Sequence, residues 1–222
     1  MIVFVDIEHI RVKKDEAAWK KHLARTLDVK LKLEEISGDH CLVMRYERIS
    51  PQVLDELNAR AVLVSGNITE FQHYNEDDLA GLRAIFKQAI RPTVGFCGGA
   101  QMMAETFGSR AAAIDESESG DMLDGAWKER THESGFMQVR QTAPHQLFDG
   151  LGDEMTFLEA HYWEIKGEPE GFQTFAESDI TPIQFMAHES MPLFGTQFHP
   201  ESFDDEHTDG RTFLENFFKL ID

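Results

Sequence analysis

Cysteine is scarce in this chain of 222 residues: only Cys41 and Cys97 occur, in quite different local contexts. Two such thiols do not make a disulfide framework, so a reducing compartment is expected, with at least one thiol free for chemistry. Long apolar runs are absent as well. No stretch approaches the roughly 20 consecutive apolar residues of a membrane span, and the opening MIVFVDIEH lacks the basic start and long apolar core of a secretory signal. The expectation is a soluble, cytoplasmic chain that does not engage a membrane. Positive charge is the third shortage, with 21 Lys and Arg against 40 Asp and Glu, for a formal net charge of -19. Such a balance repels phosphate backbones and anionic lipid, which argues against a nucleic-acid partner. Internal repeats are missing too.

What is present suffices for one large core. Hydrophobic residues make up 41% of the chain, and its length fits a single domain spanning 1–222 better than two small ones. Short runs rich in Val, Ile and Phe read as buried strands at Ile2 to Val5, Cys41 to Met44, Ala61 to Val64 and Thr93 to Phe96. Helical spacing lies between them. Trp19, Leu23 and Leu27 recur every four residues, as do Leu82, Phe86 and Ile90, and each set falls on one helix face. Ser50 followed by Pro51 makes a helix start ahead of Leu54 and Leu57.

This alternation predicts an α/β fold, an open, mostly parallel sheet with helices on both faces and function at the carboxyl ends of the strands. The second half reads differently. Phe136 to Arg140, Met155 to Leu158, Gly171 to Ala176, Pro182 to His188 and Leu193 to His199 are closely spaced strand candidates, expected as antiparallel additions. Phe213, Leu214, Phe217, Phe218 and Ile221 form a closing helix face, and Ile114 to Gly125 reads as an acidic loop.

Chemistry concentrates in two segments. In Pro92-Thr-Val-Gly-Phe-Cys97-Gly-Gly-Ala-Gln101, a strand runs into a cysteine and a helix begins at once. Such a turn can hold a nucleophile exposed and strained, with the small residues Gly95 and Gly99 leaving room for the bend. The positive end of the helix is expected to favour the thiolate, with a pKa below about 8.5, and the Gly98 amide is placed to hold an oxyanion beside the sulfur. On this segment alone, a buried structural cysteine reads equally well. The second segment, Leu193-Phe-Gly-Thr-Gln-Phe-His199-Pro-Glu201, ends an apolar strand on a histidine with a carboxylate two residues on. Histidine can take the thiol proton and return it to a leaving amine while Glu201 orients the ring. Taken alone, it is also an ordinary strand-end histidine beside a surface glutamate.

Together the two segments resemble the class I, or triad, glutamine amidotransferase family. Gly95-Phe-Cys-Gly-Gly-Ala-Gln101 is similar to its nucleophile turn, with Phe96 in place of the usual aliphatic residue, and Gly195-Thr-Gln-Phe-His-Pro-Glu201 is similar to its His-Pro-Glu signature. The resemblance implies a flavodoxin-like fold and a glutamyl thioester on Cys97, with His199 and Glu201 completing the triad. It further implies that Gln101 contacts the substrate. Glu159-Ala-His161-Tyr162-Trp163 looks like the segment whose backbone grips the amino-acid end of glutamine, although core packing accounts equally well for the Tyr162 and Trp163 side chains. Ser65-Gly66-Asn67-Ile68 resembles the oxyanion loop, usually Ser-Gly-Gly-Pro. Gly66 matches and Asn67 stands in for the second glycine, a position where its tolerance of left-handed backbone would let its amide serve.

The implied activity is glutaminase chemistry on glutamine or a γ-glutamyl substrate, with the ammonia supplied to an acceptor on a separate synthase subunit. Two alternatives stand beside it, a free-standing γ-glutamyl hydrolase and a non-catalytic regulatory domain of the same fold. No cofactor is implied, and no metal either, since His9, His22, His40, His73, His132, His145, His188 and the Asp204 to His207 run match no closed ligand set. Cys41, inside a strand-like run, is expected in the core.

Overall fold

The structure, a computed structural model, describes residues 1–117 and 125–221. Five strands form its parallel part: β1 (Ile2–Asp6), β2 (Cys41–Arg45), β3 (Ala61–Val64), β4 (Thr93–Phe96) and, late in the chain, β11 (Leu193–Thr196). β1 pairs in parallel with β2 and β3, β3 with β4, and β4 with β11. Antiparallel strands then extend the sheet: β10 (Phe185–His188), β9 (Phe172–Glu177), β6 (Glu133–Gln141) and β7 (Glu154–His161). The nine-stranded order is β2-β1-β3-β4-β11-β10-β9-β6-β7. A separate two-stranded sheet pairs β5 (Ala111–Ala113) with β8 (Trp163–Ile165). This is the mostly parallel, flavodoxin-like arrangement with antiparallel additions that the sequence predicted.

Alternation along each strand feeds two cores, one on each face. Ile2 and Phe4 of β1 join Val29 and Leu33 of α1 (Glu16–Ser37) and Phe213, Leu214 and Phe217 of α5 (Asp209–Lys219). Val3 and Val5 face the other way, toward Leu54 of α2 (Pro51–Glu56), Leu82 and Phe86 of α3 (Glu76–Gln88), and Met102 and Met103 of α4 (Gly98–Thr106). Helices therefore cover both faces. The Ser50 hydroxyl caps α2 by accepting from the Val53 amide, with Pro51 at the first helical position.

Three expectations need correction. The Trp19, Leu23 and Leu27 face of α1 does not pack on the sheet: Leu23 and Leu27 are 48% and 56% exposed, while Val29 and Leu33 are the buried side chains. Ile90 lies beyond α3, which ends where Ala89 turns left-handed at φ 45°. The strand expected to run to His199 stops at Thr196, because the chain peels away until the His199 amide donates to the Leu158 carbonyl of β7 at 2.9 Å. Most of the expected acidic loop, residues 118–124, lies outside the described residues.

Candidate active site

Adjacency of the parallel strands β4 and β11 creates the site. Phe96 pairs with Thr196, so the residues that follow each strand emerge side by side at their carboxyl ends. The Cys97 amide donates to the Thr196 carbonyl at 2.7 Å, and Cys97 itself sits at φ 49°, ψ -109° between β4 and α4. Backbone of that kind costs a non-glycine residue about 1–3 kcal/mol and persists only where the surroundings impose it. Here packing imposes it: a β-carbon at Gly95 would lie 2.6 Å from the Gly99 carbonyl carbon, and one at Gly99 would lie 2.7 Å from the Val64 oxygen. Backbone is thus packed directly on backbone around the turn.

Gly66, just past β3, lies against both Cys97 and His199. A β-carbon there would be 2.8 Å from His199 Cε1, 3.6 Å from its Nε2 and 3.3 Å from the Cys97 β-carbon. The absence of a side chain at Gly66 leaves the thiol and the imidazole room to face each other. On the other side of the ring, His199 Nδ1 and Glu201 Oε1 are 2.8 Å apart. A proton on Nδ1, donated to Glu201, leaves the Nε2 lone pair for the thiol. Cys97, His199 and Glu201 are all buried.

Arg25, reaching over from α1, was invisible in the sequence. Its Nη2 lies 3.2 Å from Glu201 Oε1, 3.0 Å from His199 Nδ1 and 3.1 Å from Ser202 Oγ. With the Nδ1 proton given to Glu201, Arg25 serves the carboxylate and Ser202 rather than the ring. Burial pushes Glu201 upward, yet the facing His199 and Arg25 outweigh it and hold the carboxyl below its ordinary range. Burial lowers His199 despite Glu201, which favours neutral imidazole.

The thiol departs from expectation. Burial first, and then the negative charge of Glu159, push Cys97 up to about 12, against the pull of the Gly98 amide. Cys97 therefore rests as a thiol beside a neutral base, not as a preformed thiolate, because desolvation opposes the charged form more strongly than the helix start favours it. Cys41, buried in β2, is likewise pushed up to about 12, chiefly by burial, and its amide donates to Glu34 Oε1 at 2.9 Å.

The loop after β3 is fixed from below by Glu8. Its carboxylate accepts the Ile68 amide and the Thr69 hydroxyl, each at 2.8 Å. The Asn67 side chain donates to the Thr69 carbonyl and, at 3.2 Å, to the Tyr74 hydroxyl. Asn67 does not adopt the left-handed backbone expected of it, since the described non-glycine residues with positive φ are Asn58, Ala89, Cys97 and Glu116. A β-carbon at Gly98 would collide with Asn67 Oδ1 and stand 3.3 Å from the Asn67 amide nitrogen, so the two oxyanion candidates are close neighbours.

A cleft opens over Cys97, lined by Asn67, Glu70, Gln101, His161, Tyr162 and Trp163 among others. The sequence candidates Gln101, Tyr162 and Trp163 are thus brought to the thiol. Gln101 Nε2 donates to the Trp163 carbonyl at 3.0 Å and to Gln197 Oε1 at 3.1 Å, while Gln197 Nε2 reaches the Cys97 sulfur at 3.5 Å. Sequence reasoning missed Gln197, although it stands two residues before His199 inside the second motif. It also missed a buried cluster beneath the cleft, where His161 Nε2 lies 3.0 Å from Glu133 and 3.2 Å from Glu159. His161 Nδ1 must donate to the Trp163 carbonyl at 2.9 Å. Burial lowers His161, but the two carboxylates outweigh it and raise the ring to about 9. Protonated His161 is then itself the cation of a group whose ligand atoms lie within 4.8 Å of one another, as metal ligands would.

Comparison with known proteins gives this arrangement its context. The profile of the family described as Glutamine amidotransferase class-I matches residues 32–221. One subunit of the glutamine-hydrolyzing GMP synthase from Archaeoglobus fulgidus is 36% identical over 134 residues, which are 60% of this chain and 64% of that protein. The corresponding GMP synthase subunit from Pyrococcus abyssi is 31% identical over 129 residues, 58% of this chain and 60% of the relative. The chain thus matches less than two thirds of the length of these curated relatives. Among solved structures, a protein from Thermoplasma acidophilum described as a GMP synthase subunit superimposes with a TM-score of 0.73 over 100% of this chain and 94% of its own, at 22% identity. A glutamine amidotransferase from Thermotoga maritima superimposes with a TM-score of 0.57 at 16% identity, over 90% of this chain and 76% of its own. These two likenesses concern the fold. Among the described residues, no helix is long and apolar enough to cross a membrane.

Proposed function

The chain belongs to the class I glutamine amidotransferase family, and from that premise we propose that it hydrolyses the side-chain amide of glutamine through a thioester on Cys97 and passes the ammonia to a partner synthase subunit. The observation that carries this reading is the meeting of Cys97 and the His199–Glu201 pair across the bare backbone of Gly66.

The chemistry follows from the resting protonation states. With thiol and imidazole both neutral, the Cys97 proton moves to His199 Nε2 as sulfur attacks the amide carbon, and Glu201 stabilises the imidazolium that forms. The negative oxygen is held by the amides of Gly98 and Asn67. His199 then gives its proton to the leaving nitrogen, and ammonia departs. Water, deprotonated by the same ring, attacks the thioester. Collapse returns the proton to Cys97 sulfur and releases glutamate. Every step uses the chain's own groups and water. Gln101, Tyr162 and Trp163 bind substrate in this reading, with Gly66 keeping the approach open.

Similarity to GMP synthase subunits makes a synthase partner of that type the first to test. The experiment is ammonia and glutamate release from glutamine and from γ-glutamyl peptides, by the chain and by Cys97→Ala. Weak glutamine hydrolysis that vanishes in Cys97→Ala and rises when the synthase partner is added is the expected result. Efficient peptide cleavage by the chain alone would instead make it a free-standing γ-glutamyl hydrolase.

A further inference from the structure

Glu70 stands in the cleft beside the thiol and takes no part in the steps above. It is 8% exposed and lines the same cleft as Cys97. Its two oxygens are held by neutral donors: the Tyr162 hydroxyl donates to Oε1 at 2.9 Å and Gln72 Nε2 donates to Oε2 at 2.6 Å. The backbone of Glu70 is fixed as well, with its carbonyl accepting the His73 amide at 3.1 Å. Among the described residues no cation pairs with it, whereas the other charged side chain in the lining, His161, already faces Glu133 and Glu159. A carboxylate oxygen accepts more than one hydrogen bond, so each oxygen of Glu70 keeps acceptor capacity. Such a group, largely removed from water and without a counter-ion, is costly unless it meets a cation.

We propose that Glu70 is the specificity residue for the α-ammonium of the substrate, a salt-bridge acceptor held rigid by Tyr162. The inference rests on the γ-glutamyl reading of Cys97. It holds equally for glutamine and for γ-glutamyl peptides, because both carry a free α-ammonium three carbons from the amide carbon. With Cys97 and Glu70 lining the same cleft, the site selects amides that belong to a free amino acid and rejects those that lack the amine. It also gives the Tyr162 hydroxyl a role that ring packing does not require.

The test is calorimetric binding of L-glutamine and of glutaramate, the same molecule without its α-amine, to Cys97→Ala and to the double variant Cys97→Ala/Glu70→Gln. Glu70→Gln is expected to weaken glutamine by about 10- to 100-fold and to leave glutaramate unchanged, with Tyr162→Phe giving a smaller loss in the same direction. Equal weakening of both ligands, unchanged glutamine binding, or no glutamine binding to either protein overturns it. In the active chain, Glu70→Gln should collapse the ratio of kcat/KM for glutamine over glutaramate, chiefly through KM. Amine-selective binding that depends on Glu70, in a chain that hydrolyses neither glutamine nor γ-glutamyl peptides, would sink the proposed function and leave Glu70 standing. Hydrolysis with an unaltered ratio would do the reverse.

Discussion

The turn around Cys97 and the helix α1 both border the candidate site, but they are built in opposite ways. Around the turn, backbone packs on backbone through Gly95 and Gly99, and Gly66 lies against the His199 and Cys97 side chains, so an added methyl meets a neighbour at each. Helix α1 carries Leu23, Leu27 and Leu31 in the open, at 48%, 56% and 56% exposure, and reaches Glu201 through the Arg25 side chain. Helix faces explain the contrast. Leu27 and Leu31 alternate along α1 with the buried Val29 and Leu33, so one face of the helix meets the core while the leucine face points to solvent. A tight turn is specified by what it cannot tolerate, and a surface helix by the one face it buries.

The largest effects should come from the turn and its triad. Glu201→Gln is expected to lower kcat for glutamine by at least about 100-fold with little change in KM, because the imidazolium loses its counter-charge. Gly66→Ala should match that loss, since its methyl would displace the His199 ring, while costing little in thermal stability. If Gly66→Ala kept full activity, the facing of Cys97 and His199 would be misdescribed.

Next comes the titration of the thiol. A group raised to about 12 becomes a thiolate progressively through the accessible range, so iodoacetamide should label Cys97 about tenfold faster per pH unit from 7 to 10. A plateau below pH 8 would restore the preformed thiolate. Burial, the larger cause of the raised thiol, is untouched by Glu159→Gln, but the variant removes the negative charge that adds to it and should shift the labelling curve to lower pH.

Smaller effects belong to α1, and they separate its two faces. Leu33→Ala, in the core, should cost about 2–5 kcal/mol in denaturant unfolding, against less than about 0.5 kcal/mol for the exposed Leu27→Ser. Comparable losses for the two would mean that the leucine face is packed after all. Arg25→Ala should reduce kcat only a few-fold, because Glu201 keeps His199 as its partner and Arg25 is half open to solvent.

The same contrast explains how far the sequence could be read. The parallel core and the Ser50–Pro51 helix start were legible, because strand runs and caps act within a few residues of chain. The orientation of α1 was not, since a leucine every four residues marks a face without saying whether a sheet lies beneath it. The residues that tune the site were hidden for a related reason. Arg25 is brought to Glu201 from 176 positions away, and Tyr162 to Glu70 from 92, by sheet order alone. Asn67 was placed correctly as a loop residue, but its side chain is committed to Thr69 and Tyr74 rather than to easing a left-handed turn. The upward push on Cys97 was hidden because its causes, burial first and then the charge of Glu159 on the antiparallel strand β7, arise from packing far from the motif in sequence.

The most direct measurement is peptide mapping after treatment with 6-diazo-5-oxo-L-norleucine, a glutamine analogue that alkylates an activated nucleophile. The account predicts one adduct, on Cys97, lost when His199 is replaced by alanine and slowed by excess glutamine. Labelling of Cys41 in place of Cys97, or labelling that ignores both His199 and glutamine, would contradict it.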